Sequence, residues 1–182
     1  MFKAIFATLL LIISCLLSSC SLSLVALPTY VSANQGYQFS YPQGWVKVKV
    51  RNPSPGVDVV FRDFIEPTEN LSVIISEIPK NKSLTDLGTP TEVGYRFFKD
   101  INNQPNLNRK LEFIKAESLL KSDNDYYILE YQVTLENNKQ RHNLASVVVK
   151  NRKLFTFNVS TTQTRWEKVG QLLENIVKSF TV

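Results

Sequence analysis

Cysteine and histidine are nearly absent from this 182-residue chain. The two cysteines are Cys15 and Cys20, and none follows; the single histidine is His142. From residue 21 onward that excludes disulfide scaffolds, zinc fingers, iron–sulfur sites and cysteine nucleophiles, and it excludes any catalytic apparatus needing two imidazoles. Six glycines and eight prolines are too few for a collagen-like or Pro/Gly-rich disordered chain. No Gly-rich phosphate loop occurs. Charge of either sign is modest: 21 Lys plus Arg against 16 Asp plus Glu gives +5. That is short of a dedicated nucleic-acid binder, and the basic clusters lack interleaved aromatics for stacking bases. A long apolar run is also missing. Ala4 to Leu17 is apolar apart from Thr8, Ser14 and Cys15, well under the ~20 residues that span a bilayer.

That run does have the length of a signal-peptide core. Met1-Phe2-Lys3 supplies a short positive start, and Leu17-Ser18-Ser19-Cys20 ends it with an aliphatic residue, two small residues and a cysteine. The pattern resembles the bacterial lipobox, in which the peptidase cuts before the cysteine, its thiol takes a diacylglycerol and its amine is acylated. Residues 1–19 are therefore expected to be a lipoprotein signal peptide, with Cys20 the lipid attachment. Ile12-Ile13-Ser14-Cys15 fits the same pattern but leaves a very short apolar core. Val31-Ser32-Ala33 would suit an ordinary secretory cleavage, far from the apolar run. Three acyl chains exceed what stable anchoring needs. Residues 20–35, uncharged and containing Pro28 and several serines, are expected to form a tether.

From Gly36 to Val182 one domain is expected, long enough for a core of its own. Tyr37, Phe39 and Tyr41 alternate with polar residues, and Val46, Val48 and Val50 alternate with Lys47, Lys49 and Arg51. Period two predicts strands, the second with three valines on one face and three cations on the other. Further strands are expected over 57–63, 71–78, 111–121, 126–136, 141–150 and 153–161. Asn137-Asn138 and Asn151-Arg152 mark hairpin turns, and such closely spaced strands must pair antiparallel. Thr89-Pro90-Thr91-Glu92 opens a helix with a capping box and proline at its first position; Val93, Phe97, Phe98 and Ile101 form its apolar stripe. Thr164-Arg165-Trp166-Glu167 suggests a second box, with Trp166, Val169, Leu173, Ile176, Val177 and Phe180 at helical spacing. The fold class is α+β: an antiparallel sheet flanked by helices, an α/β/α sandwich if each helix takes a different face.

Several motifs in order carry a resemblance. Gly36-Tyr37-Gln38-Phe39-Ser40-Tyr41-Pro42 with Gly44-Trp45, then Phe61-Arg62-Asp63, Asn70-Leu71-Ser72-Val73 and Ser83 to Pro90 come first. Asp125-Tyr126-Tyr127, Arg141-His142-Asn143-Leu144, Lys150 to Phe155 and Arg165-Trp166 follow. Together they resemble the PsbP family, and with the lipobox its cyanobacterial lipoprotein branch. The resemblance implies a non-enzymatic accessory protein on the lumenal face of the thylakoid membrane. It would act by binding photosystem II lumenal subunits in assembly, repair or support of the oxygen-evolving complex, as a monomer held by its lipid. Two departures stand out. The domain begins soon after Cys20, where plant members carry a longer N-terminal segment used in binding and ion retention. The family's metal-site His–Asp pair becomes His142 and Gln163.

His142 is thus the candidate ligand for a divalent metal (Zn, Mn or Ca), although the resemblance requires no cofactor. Read without it, a lone histidine beside Arg141, with Lys139 and Lys150 close in sequence, is a strand-surface residue. Lys47, Lys49 and Arg51, and Lys150, Arg152 and Lys153, are candidate partner-binding clusters for an acidic protein or anionic lipid, or simply solvated faces. Asp63, Glu66, Asp123 and Asp125 show no acid–base spacing, and no catalytic residue is assigned. Trp45 and Trp166 are expected in the core. Two other function classes fit: an ion-handling accessory protein, or an envelope lipoprotein holding a hydrophobic small molecule between sheet and helix.

Overall fold

The computed structural model describes residues 26–79, 82–103 and 109–182. The signal peptide, the lipobox and both cysteines lie outside the described residues. The expected α+β architecture is what the chain adopts. Strands β1 (Thr29–Ser32) and β2 (Tyr37–Ser40) form a small hairpin. Strands β3 (Trp45–Val48), β4 (Val57–Asp63), β5 (Asn70–Glu77), β6 (Arg109–Lys121), β7 (Asn124–Leu135), β8 (Gln140–Lys150) and β9 (Lys153–Thr162) form one sheet in the order β3-β4-β5-β9-β8-β7-β6. Every pairing is antiparallel. Helix α1 (Pro90–Asn102) packs on one face over β6 and β7; helix α2 (Gln163–Ser179) packs on the other together with the β1–β2 hairpin.

The α2 face carries the main core. Phe157 and Val159 of β9, Leu71 and Val73 of β5, Tyr126 of β7 and Val148 of β8 are each at most 1% exposed. Against them pack Leu173, Ile176, Val177 and Phe180 of the predicted α2 stripe. Aromatic rings dominate the contact with the hairpin: Phe39 stacks on Phe157 at 4.6 Å and stands edge-on to Phe61 at 5.7 Å. The smaller core under α1 joins Leu84, Tyr127, Leu129, Ala145 and Val147. There the helix comes close enough that a Cβ on Gly94 would meet the Phe113 ring at 2.7 Å, so any larger residue would have to push that ring aside.

The capping box of α1 forms as expected, with Thr89 N–H donating to Glu92 Oε2 at 2.8 Å and Glu92 N–H to Thr89 Oγ1 at 3.3 Å. At its other end Asn102 exchanges two 2.8 Å bonds with the Leu111 backbone, tying the helix to β6. Phe98 is buried, Phe97 is half out of the core, and the side chain of Ile101 lies outside the described residues.

Three local expectations are corrected. The tether does not run unstructured to residue 35, because Thr29–Ser32 is β1, held against β2 by Tyr30, whose ring lies 5.3 Å from Phe39 and 5.4 Å from Phe61. The second capping box is absent: β9 continues to Thr162, extended at φ −74°, ψ 150°, so α2 starts one residue before Thr164. Thr164 Oγ1 instead meets Thr162 Oγ1 at 3.2 Å. On β3 the faces are reversed. Trp45 is buried on the α2 face, so Lys47 shares that face, while Val46 is 44% exposed. β3 is an edge strand, and α1 packs on the opposite side of the sheet, over β6 and β7, so among the described residues Val46 stays exposed and Val48 is only half covered there.

Burial pushes the phenols of Tyr37, Tyr126, Tyr127 and Tyr131 above their ordinary value, and for Tyr37 the bond its hydroxyl donates to Asp58 adds to the effect. A phenol kept neutral only in the folded state contributes stability that is whole below the unfolded value of about 10 and is lost as pH rises through the higher folded values. Raising the pH above about 10 should therefore unfold the domain, with phenolate absorbance and loss of far-ultraviolet dichroism rising together. Phenolate appearing at full amplitude in a still-folded domain would contradict this.

Candidate functional site

His142 sits in the middle of the protein rather than on a strand surface. It is 4% exposed on β8, paired to Gln132 on β7 and Thr161 on β9. Even-numbered residues of β7 and β8 face α2, so His142 falls in one cluster with Glu130, Gln132 and the first turn of that helix. Its Nε2 lies 2.8 Å from Glu130 Oε1 and its Nδ1 lies 3.1 Å from Gln163 Oε1. The Trp166 ring lies parallel to the imidazole at 3.7 Å. Gln132 Nε2 donates to the same Gln163 oxygen at 3.1 Å. Lys115 Nζ, reaching over from β6, lies 3.1 Å from Glu130 Oε2. That ion pair is the only partner found for this buried oxygen among the described residues, and it lacks hydrogen-bond geometry. It holds the Lys115 ammonium above its ordinary value, through the Glu130 carboxylate. A carboxylate only accepts, so Nε2 carries a proton toward Glu130.

The cluster is a pin. It fastens the start of α2 to the sheet and places a protein oxygen beside each ring nitrogen of His142. A divalent cation on His142 would have to displace Glu130 or Gln163 and would sit close to the Lys115 ammonium. Its other protein donors would be one carboxylate and one amide, a poor set for Zn²⁺ or Mn²⁺. Among the described residues no three His, Cys, Asp or Glu side chains gather as a metal cluster. The residues present do not fit a resident metal.

A second pin lies one strand away. Glu69, 2% exposed at the start of β5, accepts from Thr161 Oγ1 at 2.6 Å and from Arg165 of α2. The carboxylate holds the Arg165 guanidinium above its ordinary value. Sequence reading missed Glu69 and Glu130. Glu130 had a visible signal, a lone acid inside the apolar run Tyr126 to Tyr131.

The two basic clusters lie apart. Lys47 Nζ is 3.2 Å from Tyr30 Oη and 5.1 Å above the Tyr30 ring, while Lys49 and Arg51 are exposed beyond the end of β3. At the β8–β9 turn, Lys150 donates to the Val182 carbonyl at 2.7 Å and Lys153 to Gln35 at 3.0 Å. Both are engaged within the fold, and Arg152 stands exposed with φ 64°. Asp63 accepts from Trp45 Nε1 at 3.1 Å, so this acid and the buried Trp45 serve one another.

On the opposite face, α1 covers only the β6–β7 side and leaves a cleft of about 480 Å³ beside it. Val93 and Phe97 of α1, with Leu129 and Val147 of the sheet, supply apolar walls, and Arg141 and Asn143 border it. Arg141 donates from Nε to Ser160 Oγ at 2.9 Å and to the Thr68 carbonyl, and burial lowers its pKa.

This is an antiparallel sheet with a helix on each face and two buried carboxylates pinning the second helix. A model of the PsbP family matches residues 26–182. The chain is 49% identical over 173 residues to CyanoP of Synechocystis sp., covering 94% of this chain and 92% of that protein. It is 45% identical over 186 residues to CyanoP of Thermosynechococcus vestitus, covering all of both. The solution structure of the Synechocystis protein superposes with a TM-score of 0.75 at 49% identity, over 91% of this chain and 97% of that one. The chain belongs to the PsbP family.

Replacing His142 by Ala should cost about 2–4 kcal/mol in urea unfolding, because Glu130 stays buried with Lys115 alone. The variant should bind Zn²⁺ in calorimetry as the parent does. A His142-dependent heat of zinc binding would restore the histidine as a ligand.

Proposed function

We propose that the protein is a non-enzymatic accessory of photosystem II, held on the lumenal side of the thylakoid membrane by lipid on Cys20. It acts by binding photosystem II lumenal subunits during assembly, repair or support of the oxygen-evolving side. The observation that supports this most is membership of the PsbP family over the whole described domain. Among the described residues no helix is long and apolar enough to cross a membrane; the reading assigns membrane attachment to the N-terminal lipid. A tether keeps the domain within nanometres of its target, and a weak interface then suffices through effective concentration. Crosslinking and mild-detergent pull-down from thylakoids should recover photosystem II lumenal subunits with the parent chain and several-fold less with Cys20→Ser. Recovery of no photosystem II subunit, under conditions that capture known neighbours, would sink this reading.

The cleft beside α1 favours a second one, in which an amphipathic small molecule lies with its apolar part on Phe97 and Val147 and an acidic head near Arg141. Mass spectrometry of organic extracts of the natively purified protein should then find a stoichiometric ligand that is lost in Val147→Trp. An empty extract from the folded parent would reject it.

A further inference from the structure

The turn from β4 to β5 holds two of the most exposed large apolar side chains in the described domain: Phe64 is 77% and Ile65 91% exposed. They are displayed on a rigid frame. Asp63 Oδ1 accepts from the backbone N–H of Ile65 at 2.7 Å and of Glu66 at 3.1 Å, while Trp45 holds the other oxygen. Phe64 N–H donates to the Gly44 carbonyl at 3.2 Å, and Glu69 N–H to that of Glu66 at 2.8 Å. The Thr68 carbonyl takes Asn70 Nδ2 at 3.1 Å and Arg141. The turn has thus satisfied these backbone groups internally, which lowers the cost of leaving water.

The place of this turn matters as much as its composition. Tyr41 N–H donates to the Pro28 carbonyl at 3.0 Å, and the next residues, Pro42 to Gly44, run directly to Phe64. The described chain therefore begins at the end of the sheet that carries Phe64 and Ile65. The β6–β7 and β8–β9 turns lie at the other end, as the strand registers require. Cys20 is six positions before Ala26, a reach of at most about 20 Å. The charges of the turn balance: Arg62, Arg141 and Arg165 stand beside Asp63, Glu66 and Glu69.

We propose that Phe64 and Ile65 seat in the headgroup–acyl boundary of the membrane that holds the N-terminus, orienting the domain with this end down. The proposal rests on the lipid-anchored reading above. Two apolar side chains bind a bilayer weakly on their own, and the tether supplies the local concentration that makes the contact persistent. Balanced charge makes the contact one with neutral or zwitterionic headgroups, insensitive to salt.

The chain from Cys20 to Val182 has a single thiol, which can be coupled to a maleimide lipid in phosphatidylcholine vesicles whether or not the cell acylates it. Ile65→Trp then reports depth, with the parent chain as background for Trp45 and Trp166. Leu120→Trp is the control, since Leu120 is 71% exposed at the opposite end. Brominated acyl chains should quench the indole added at position 65 by about twofold or more, at low and high salt alike, and leave that at position 120 unchanged. No quenching at 65, or equal quenching at both, overturns the proposal. Quenching abolished by salt overturns the neutral-headgroup contact. A crosslink from position 65 to a thylakoid protein, without quenching in vesicles, assigns the turn to a protein partner and overturns it too. Mass spectrometry of the native N-terminal peptide tests the anchor separately: an unacylated Cys20 sinks that reading whatever the vesicles report.

Discussion

The fold depends on one strand finding two partners. β9 pairs through Asn70–Glu77 with β5 on one side and through Arg141–Lys150 with β8 on the other. Without it the molecule is two unconnected antiparallel meanders, β3-β4-β5 and β6-β7-β8, each with an apolar face in water. The β8 pairing is local, a tight hairpin through Asn151 and Arg152, both with positive φ. The β5 pairing closes a long loop, and its entropic cost is repaid by burying Leu71, Val73, Phe157 and Val159 together under α2. The helix follows β9 without a break, so placing the strand also places the cover for the core.

Both buried carboxylates act where that helix begins. Glu69 joins β5 to Thr161 and Arg165; Glu130, through His142, joins β7 to Gln163 and Trp166. Each offsets the cost of a buried charge with a cation and with hydroxyl or ring N–H donors, and each would be costly to leave half made. Such pins need not add net stability over an apolar packing. What they add is position, because a one-residue slip of β9 would move Thr161 to the other face and leave Glu69 without its hydroxyl.

The two ends of the sheet differ because of the same geometry. The described chain begins, α2 starts and both pins lie toward the end of the sheet that holds the β4–β5 turn. The basic β8–β9 turn and the C-terminus lie at the other, where Lys150 and Lys153 are engaged by Val182 and Gln35. Of the cations in the two clusters, Lys47, Lys49, Arg51 and Arg152 are exposed, Lys47 while bonded to Tyr30.

Much was legible in the chain because it is written in local patterns. Alternation marked most of the strands, Thr89-Pro90-Thr91-Glu92 marked the start of α1, and the apolar spacing from Trp166 to Phe180 marked the buried side of α2. These depend on propensity, capping and period, which act within a few residues. The failures were also local patterns, overruled from a distance. Lys47 is exposed as its alternation predicts, yet it shares the core face of the sheet, because Trp45 fixes that face and Tyr30 comes to meet it. Thr164 has the sequence of a helix cap, yet β9 claims Thr162 first. By itself the sequence determined the kinds of element, their order, the family and the lack of cysteine chemistry beyond Cys20. Only the tertiary structure decided that His142 is buried between Glu130 and Gln163, that Glu69 meets Arg165 from 96 residues away, and that Phe64 and Ile65 stand at the end where the described chain begins. Those are facts about which strands are neighbours, and strand neighbours are chosen by the burial of whole faces rather than by any residue's immediate surroundings in the chain.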